Sequence, residues 1–164
     1  MSIVLSPSQF IFIQYDKRHC MIIETRTEPH ANYKLKVKRS SAGLGLFADE
    51  DIPKGARIIE YIGIVRSSSD EDANKYIFNV SSKLDIDGSP RYNTARYANH
   101  SCGPNAESDI KKGHVWIVST KHIAKGEEIT YDYGKEYFDV HIKPLGCRCE
   151  KCTKRREKKD GLKI

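Results

Sequence analysis

Asn93-Thr-Ala-Arg-Tyr-Ala-Asn-His-Ser-Cys-Gly-Pro-Asn-Ala106 gathers Arg96, Asn99, His100, Ser101, Cys102 and Asn105 into one short segment with little aliphatic surface. Core packing does not account for such a segment, and Tyr97 with the apolar runs on either side ties it to folded structure. Asn99 to Cys102 set amide, imidazole, hydroxyl and thiol groups side by side. Gly103-Pro104 is a strong turn signal. Taken alone, the stretch reads equally well as a polar turn or as a functional site.

Outward from it, the flanks read as short strands. Downstream, Ala106–Ile110 and Val115–Ser119 are joined by the turn Lys111–His114, and Glu127–Tyr133 forms a last core strand. Upstream, Leu35–Arg39 alternates apolar and basic residues as a half-buried strand does. Ser40–Gly45 opens as a loop with two glycines, and Leu46–Ala48 is a short strand. Arg57–Val65, rich in Ile, Val and Tyr, reads as one strand. Ser69-Asp-Glu-Asp carries the cap-and-acid signature of a short helix ending near Tyr76. Tyr76–Val80 and Leu84–Asp87 are two further strands, and one helical turn falls at Ala95–Ala98. Ile123-Ala-Lys-Gly126 echoes Ile52-Pro-Lys-Gly55, a reused turn and not a repeat array. Many short strands with frequent turns predict a mostly-β domain built of several small sheets with short helices.

At 164 residues the chain is expected to form one domain with small terminal additions. Residues 1–34 form an N-terminal extension, either a hairpin of Phe10–Tyr15 with Cys20–Glu24 or a flexible leader. Residues 35–139 are the body, 140–153 a cysteine segment and 154–164 a basic tail. The net charge is +6, and Thr153–Ile164 holds six basic and two acidic residues, which reads as a solvated, mobile end. That charge points to an acidic partner or surface, with weak nucleic-acid contact through the tail among the readings. The longest apolar runs, Phe10–Ile13 among them, are too short to span a bilayer, and no secretory signal is visible.

Five cysteines are present, three of them in Cys147-Arg-Cys149-Glu-Lys-Cys152. Without a signal peptide, clustered thiols favour a metal over disulfides and a reducing intracellular compartment, cytoplasm or nucleus. Three thiolates leave tetrahedral zinc one ligand short. Cys102 is the natural fourth, with Cys20, His141 or His100 behind it. Period-two spacing puts Tyr131 and Tyr133 on one strand face, either as packing residues or with their hydroxyls lining a channel.

Five motifs then occur in a telling order. These are Gly43-Leu-Gly45, Glu60-Tyr61-x-Gly63, Arg96 through Asn105, Gly126-Glu-Glu-Ile-Thr-Tyr131-Asp-Tyr133, and the terminal cysteine cluster. From about Leu35 to Cys152 the chain resembles the SET-domain lysine methyltransferases. The resemblance implies a knot-like crossing near the active site, S-adenosylmethionine as cofactor, and a lysine of a histone or other basic protein as substrate. It implies that Gly43, Leu44 and Gly45 hold the methionine end of the cofactor, with Tyr76, Arg96, Asn99 and His100 completing its cleft. Tyr133 corresponds to the catalytic tyrosine, Tyr131 to the position governing product multiplicity, and Tyr61 to a wall of the lysine channel. Cys102, Cys147, Cys149 and Cys152 correspond to a zinc site, although the family more often places four residues before the last cysteine and this chain has two. The expected product is mainly monomethyl-lysine. The rival reading is a catalytically silent, zinc-stapled binding module with a basic tail for nucleic acid or an acidic protein. A homodimer stays open.

Overall fold

The computed structural model describes residues 28–70 and 74–161. The hairpin considered for residues 10–24, with Cys20, lies outside them. Among the described residues, ten strands are arranged in four small sheets. β1 (Leu35–Ser40) and β2 (Gly43–Ala48) form an antiparallel hairpin registered from Leu35↔Ala48 to Ser40↔Gly43. The glycines expected in a loop therefore belong to a strand. Gly43, at φ +118°, closes the two-residue turn with a backbone shape that side chains rarely adopt.

β3 (Arg57–Tyr61), β8 (Ala106–Lys111) and β9 (His114–Ser119) make a sheet in the order β3-β9-β8. β4 (Ile64–Ser67), β5 (Ile77–Ser81) and β6 (Leu84–Asp87) make another, with β6 central. The single strand expected over Arg57–Val65 is thus two strands, β3 and β4, broken at Ile62-Gly63. Gly63 permits the break, because a Cβ there would stand 2.0 Å from the Asp87 carbonyl oxygen of β6. Gly63→Ala must displace backbone, and it is expected to lower stability by about 2 kcal/mol in a denaturant titration.

His30–Asn32 extend the edge of β3. Glu60 N donates to His30 O and Asn32 N to Ile58 O, both at 2.9 Å. The echoed turns turn out to be partners: Ile52 and Ile123 exchange backbone hydrogen bonds at 2.8 and 2.9 Å. Both isoleucines are fully buried, among Leu46, Ile58, Ile59, Val115, Ile117 and Ile129. Fully burying such side chains contributes roughly 1.5–3 kcal/mol each. Tyr61, Ala95, Ala98 and Tyr131 belong to the same cluster, so the core reaches directly beneath the polar stretch.

Three further expectations are corrected. The helix expected to end near Tyr76 is absent from the described flanks of residues 71–73, where Asn74–Tyr76 are coil and turn. Asn74 Oδ1 accepts from Tyr76 N at 2.8 Å, a local bond that competes with helix. The strand expected over Glu127–Tyr133 shrinks to β10 (Thr130–Tyr131), since Glu127 and Glu128 turn away to pair with β2. The tail is not a loose end: α2 (Glu150–Gly161) is a regular helix. Lys, Arg and Glu are good helix formers, Lys154 pairs with Glu150, and Cys152 supplies one buried anchor.

The chain's central crossing is the parallel pairing of β7 (Asn99–His100) with β10. Ser101 N donates to Tyr131 O, and Asn105 N to Thr130 O. The buried Asn105 side chain completes the clamp, taking Thr130 N on its oxygen and donating to Glu128 O. A 3-10 turn at Thr94–Tyr97 leads into β7, where a helical turn was expected.

Candidate functional site

The C-terminal segment folds back onto Cys102. After β10 the chain enters α1 (Lys135–Tyr137) and a wide helical turn over Phe138–Ile142, neither of which the sequence pattern announced. Cys147 and Cys149 follow, and Cys152 lies in the first turn of α2. Residues three apart in a helical turn share a face, so the two-residue spacer sets Cys149 and Cys152 together. The Sγ atoms of Cys102, Cys147, Cys149 and Cys152 all lie within 4.8 Å of one another. Cys102 Sγ is 3.8 Å from that of Cys147 and 3.6 Å from that of Cys152. Four sulfurs about 2.3 Å from a tetrahedral zinc would stand about 3.8 Å apart, so the donor set fits that ion.

Burial resists ionisation of Cys149, yet the Cys102 and Cys152 amides and neighbouring thiols bring its pKa down to about 7. Cys102 is pushed up, by burial first and then by the adjacent thiols. Of the alternative ligands, His141 stacks on Tyr137 instead, with ring centroids 4.6 Å apart. His100 sits beside the cluster, its Nε2 3.4 Å from Cys102 Sγ.

The residues assigned to the cofactor cleft form two groups. In the first, Asn99 joins the β1–β2 hairpin: its Nδ2 donates to Leu44 O at 2.9 Å and to Glu128 Oε1 at 2.8 Å. Gly45 packs against that carboxylate, since a Cβ there would stand 2.3 Å from Glu128 Oε1. Ser40 Oγ donates to the other oxygen, Oε2, at 2.8 Å. Gly43 is open, with nothing within 4 Å of where a Cβ would stand, and Leu44 is 51% exposed. His100 accepts from Tyr133 N on Nδ1 at 3.3 Å, which leaves the proton on Nε2, toward Cys102. Burial lowers its pKa, so the ring is neutral at pH 7. Both ring nitrogens are turned into the protein.

In the second group, the Arg96 guanidinium lies 3.9 Å over the Tyr76 ring and donates to Ser89 O. Its Nε is buried without a hydrogen-bond partner. Burial raises the Tyr76 pKa, but Arg96 and Lys75 outweigh it and the net direction is down.

Between these groups lies a run of aromatic rings. Tyr131 and Tyr133 have centroids 4.7 Å apart, and Tyr137 meets Tyr133 edge-on at 5.0 Å. Tyr133 Oη donates to Ala98 O, and Tyr61 Oη to Tyr76 O, each at 2.8 Å. Desolvation is the main cause that raises the pKa of Tyr61, Tyr131 and Tyr133. Their hydroxyls therefore stay protonated at neutral pH and serve as hydrogen-bond groups, not as bases.

Two residues that no sequence motif marks also shape the site. Tyr137 ties α1 to the β5 approach by donating to Lys75 O, and only its position after the last motif hinted at it. Gly88, directly after β6, is another such residue. A Cβ there would meet the Tyr61 ring and hydroxyl at 2.2 to 2.4 Å. Gly88→Ala is expected to dislodge Tyr61 and to cut any activity at this site about tenfold or more, with a smaller change in melting temperature.

Comparison with protein-family models matches residues 43–134 to the SET domain. The chain is 36% identical over 144 residues to histone-lysine N-methyltransferase 2D of Homo sapiens, covering 79% of this chain and 3% of that protein. It is 32% identical over 138 residues to histone-lysine N-methyltransferase ASHH3 of Arabidopsis thaliana, covering 73% of this chain and 38% of the relative. The chain thus spans only a minor part of these relatives. Among solved structures it resembles KRYPTONITE in complex with mCHH DNA, an H3(1-15) peptide and SAH. There the TM-score is 0.59 and the identity 36%, over 68% of this chain and 25% of that one. No helix among the described residues is long and apolar enough to cross a membrane. The small sheets, the crossing of β7 with β10 and a family match over more than half the chain lead to one assignment: the protein belongs to the SET-domain family.

Proposed function

We propose that the protein is an S-adenosylmethionine-dependent protein-lysine methyltransferase acting on a histone or another basic protein. The observation that carries the reading is the set of neutral tyrosine hydroxyls near the pairing of β7 with β10, on buried Tyr61 and Tyr131 and half-buried Tyr133. Residues 35–139 would form the catalytic unit, 140–153 the metal-binding segment and 154–164 a basic end. A nuclear or cytoplasmic setting follows from that role. The exposed basic side chains of α2 offer weak contact to nucleic acid, and a homodimer is compatible with this reading.

The residues suit both ligands. Asn99 brings an amide, the Leu44 side chain an apolar surface and Tyr76 with Arg96 a stacked pair, groups fitted to an amino-acid end and an aromatic base. S-adenosylmethionine, when bound, supplies a methyl group on a cationic sulfur. The protein's part is to hold the lysine amine in line and to keep water out, which lowers the barrier by orientation and by fixed dipoles. Free lysine has a pKa near 10.4. A desolvated tyrosine-lined channel favours the neutral amine, and phenol oxygens can accept its N–H groups while its lone pair stays free. Zinc fits the four-cysteine cluster, where it would fasten α2 to Cys102.

Tyr131 is the residue proposed to restrict the product mainly to monomethyl-lysine, because its hydroxyl crowds the amine in a site where it is itself 6% exposed. Tyr131→Phe is expected to shift the product toward di- and trimethyl-lysine in mass spectra, and an unchanged ratio would remove the assignment. The function is tested by incubation with labelled S-adenosylmethionine and purified histones. Label on lysine Nε is expected, whereas no transfer together with no cofactor binding refutes it.

A further inference from the structure

We infer that Glu128 is a positioning residue that fixes which atom of Asn99 is offered to the cofactor, an assignment that rests on the methyltransferase reading above. Glu128 lies where the chain leaves its bridge to β2 and turns toward β10. Its two carboxylate oxygens are divided between two elements. Oε2 accepts from Ser40 Oγ at the end of β1, and Oε1 accepts from Asn99 Nδ2 in β7.

The two ends of the Asn99 amide are told apart by these partners. The groups around Nδ2 are the Leu44 carbonyl at 2.9 Å and the Glu128 carboxylate at 2.8 Å. A carbonyl and a carboxylate only accept hydrogen bonds, so the atom facing both must be the NH2 group. Both of its hydrogens are thereby used. What remains of the side chain for a ligand is Oδ1, an acceptor.

An acceptor at that position, beside Leu44 and open Gly43, suits a donor on the ligand. The α-ammonium of the cofactor's amino-acid end is such a donor, and its carboxylate is not. Without Glu128 one restraint on the amide is gone, and rotation of Asn99 would set NH2 against the ammonium. The absence of a side chain on Gly45 belongs to the same device, since any Cβ would push the carboxylate away from Asn99. Glu128 need not touch the cofactor to act on it.

The test compares two ligands by titration calorimetry on the zinc-loaded full chain. One is S-adenosylhomocysteine; the other is the same compound with hydrogen in place of the α-amino group. Glu128→Ala is expected to weaken S-adenosylhomocysteine by about tenfold or more, as for a lost hydrogen bond to a charged group. The deaminated ligand should change by less than about threefold on the same scale. Equal weakening of both ligands would make Glu128 a merely structural clamp and overturn the inference, as would an unchanged affinity for S-adenosylhomocysteine. Should Glu128→Ala fail to fold by circular dichroism, Glu128→Asp carries the same comparison, because it keeps the charge but withdraws it from Asn99 by one methylene. A wild-type protein that binds neither ligand would defeat the methyltransferase reading itself. Wild-type binding with no ligand-selective loss defeats the Glu128 assignment alone.

Discussion

Tyr133→Phe should reduce the rate of lysine methylation by at least about 100-fold while leaving the affinity for S-adenosylhomocysteine within about threefold of wild type. The substitution removes one oxygen from the centre of the aromatic run. The ring is retained, held between Tyr131 and Tyr137 and edge-on to His100. The oxygen lost is the one that donates to Ala98 O, on a residue only 1% exposed. Leaving that carbonyl without its partner costs about 1–3 kcal/mol of stability, a change that does not unfold a domain of this size. Rate and stability therefore separate. Single-turnover kinetics beside calorimetry and thermal melting read the three quantities independently. Tyr137→Phe is the internal control, because it loses only the exposed bond to Lys75 O and should cost far less in rate.

Removing the metal should have the largest effect on the fold. The zinc-loaded protein is expected to contain about one zinc per chain, and a strong chelator or Cys149→Ser should lower its melting temperature by about 10 °C or more. Apparent zinc-binding free energies of about 10–16 kcal/mol exceed the net stability of most domains. Beyond Tyr137, few apolar contacts hold the end of the chain. Phe138 and Ile142 cover the cysteine cluster, and Cys152 is the buried residue of α2. Activity should fall with the metal. Cys102 lies two residues from His100, whose Nδ1 accepts from Tyr133 N, so loosening Cys102 loosens the backbone at Tyr133. A protein that binds no metal and melts unchanged after Cys149→Ser would remove the account of the C-terminal segment.

What could be read in the chain follows from how local each signal is. β1 is legible because alternation of apolar and polar residues is a local property, β8 and β9 lie where strands are expected, and β2 is legible only over Leu46–Ala48. Arg57–Val65 hides its break, since what splits it is the distant Asp87 carbonyl pressing on Gly63. Glu127–Tyr133 has strand-like composition throughout, yet its two halves pair with different partners, β2 and β7, and only tertiary structure divides them. Charge alone makes the basic tail look like a solvated, mobile end. Its residues favour helix, and the buried Cys152 just before it anchors that helix, which together decide the outcome. At the site, Arg96, Asn99, His100, Tyr131 and Tyr133 stand out because they cluster in two motifs. Glu128 and Gly88 do not, because their importance lies in atoms brought to them from Ser40, Asn99 and Tyr61.

The central claim is methyl transfer to lysine at the crossing of β7 and β10. It is tested most directly by treating a whole-cell protein extract with the zinc-loaded protein and deuteromethyl-labelled S-adenosylmethionine, then mapping the label by mass spectrometry. The account predicts label on lysine Nε, mainly one methyl group per site, and its near disappearance with Tyr133→Phe. Label confined to other residue types, or lysine label of equal intensity with Tyr133→Phe, would contradict it.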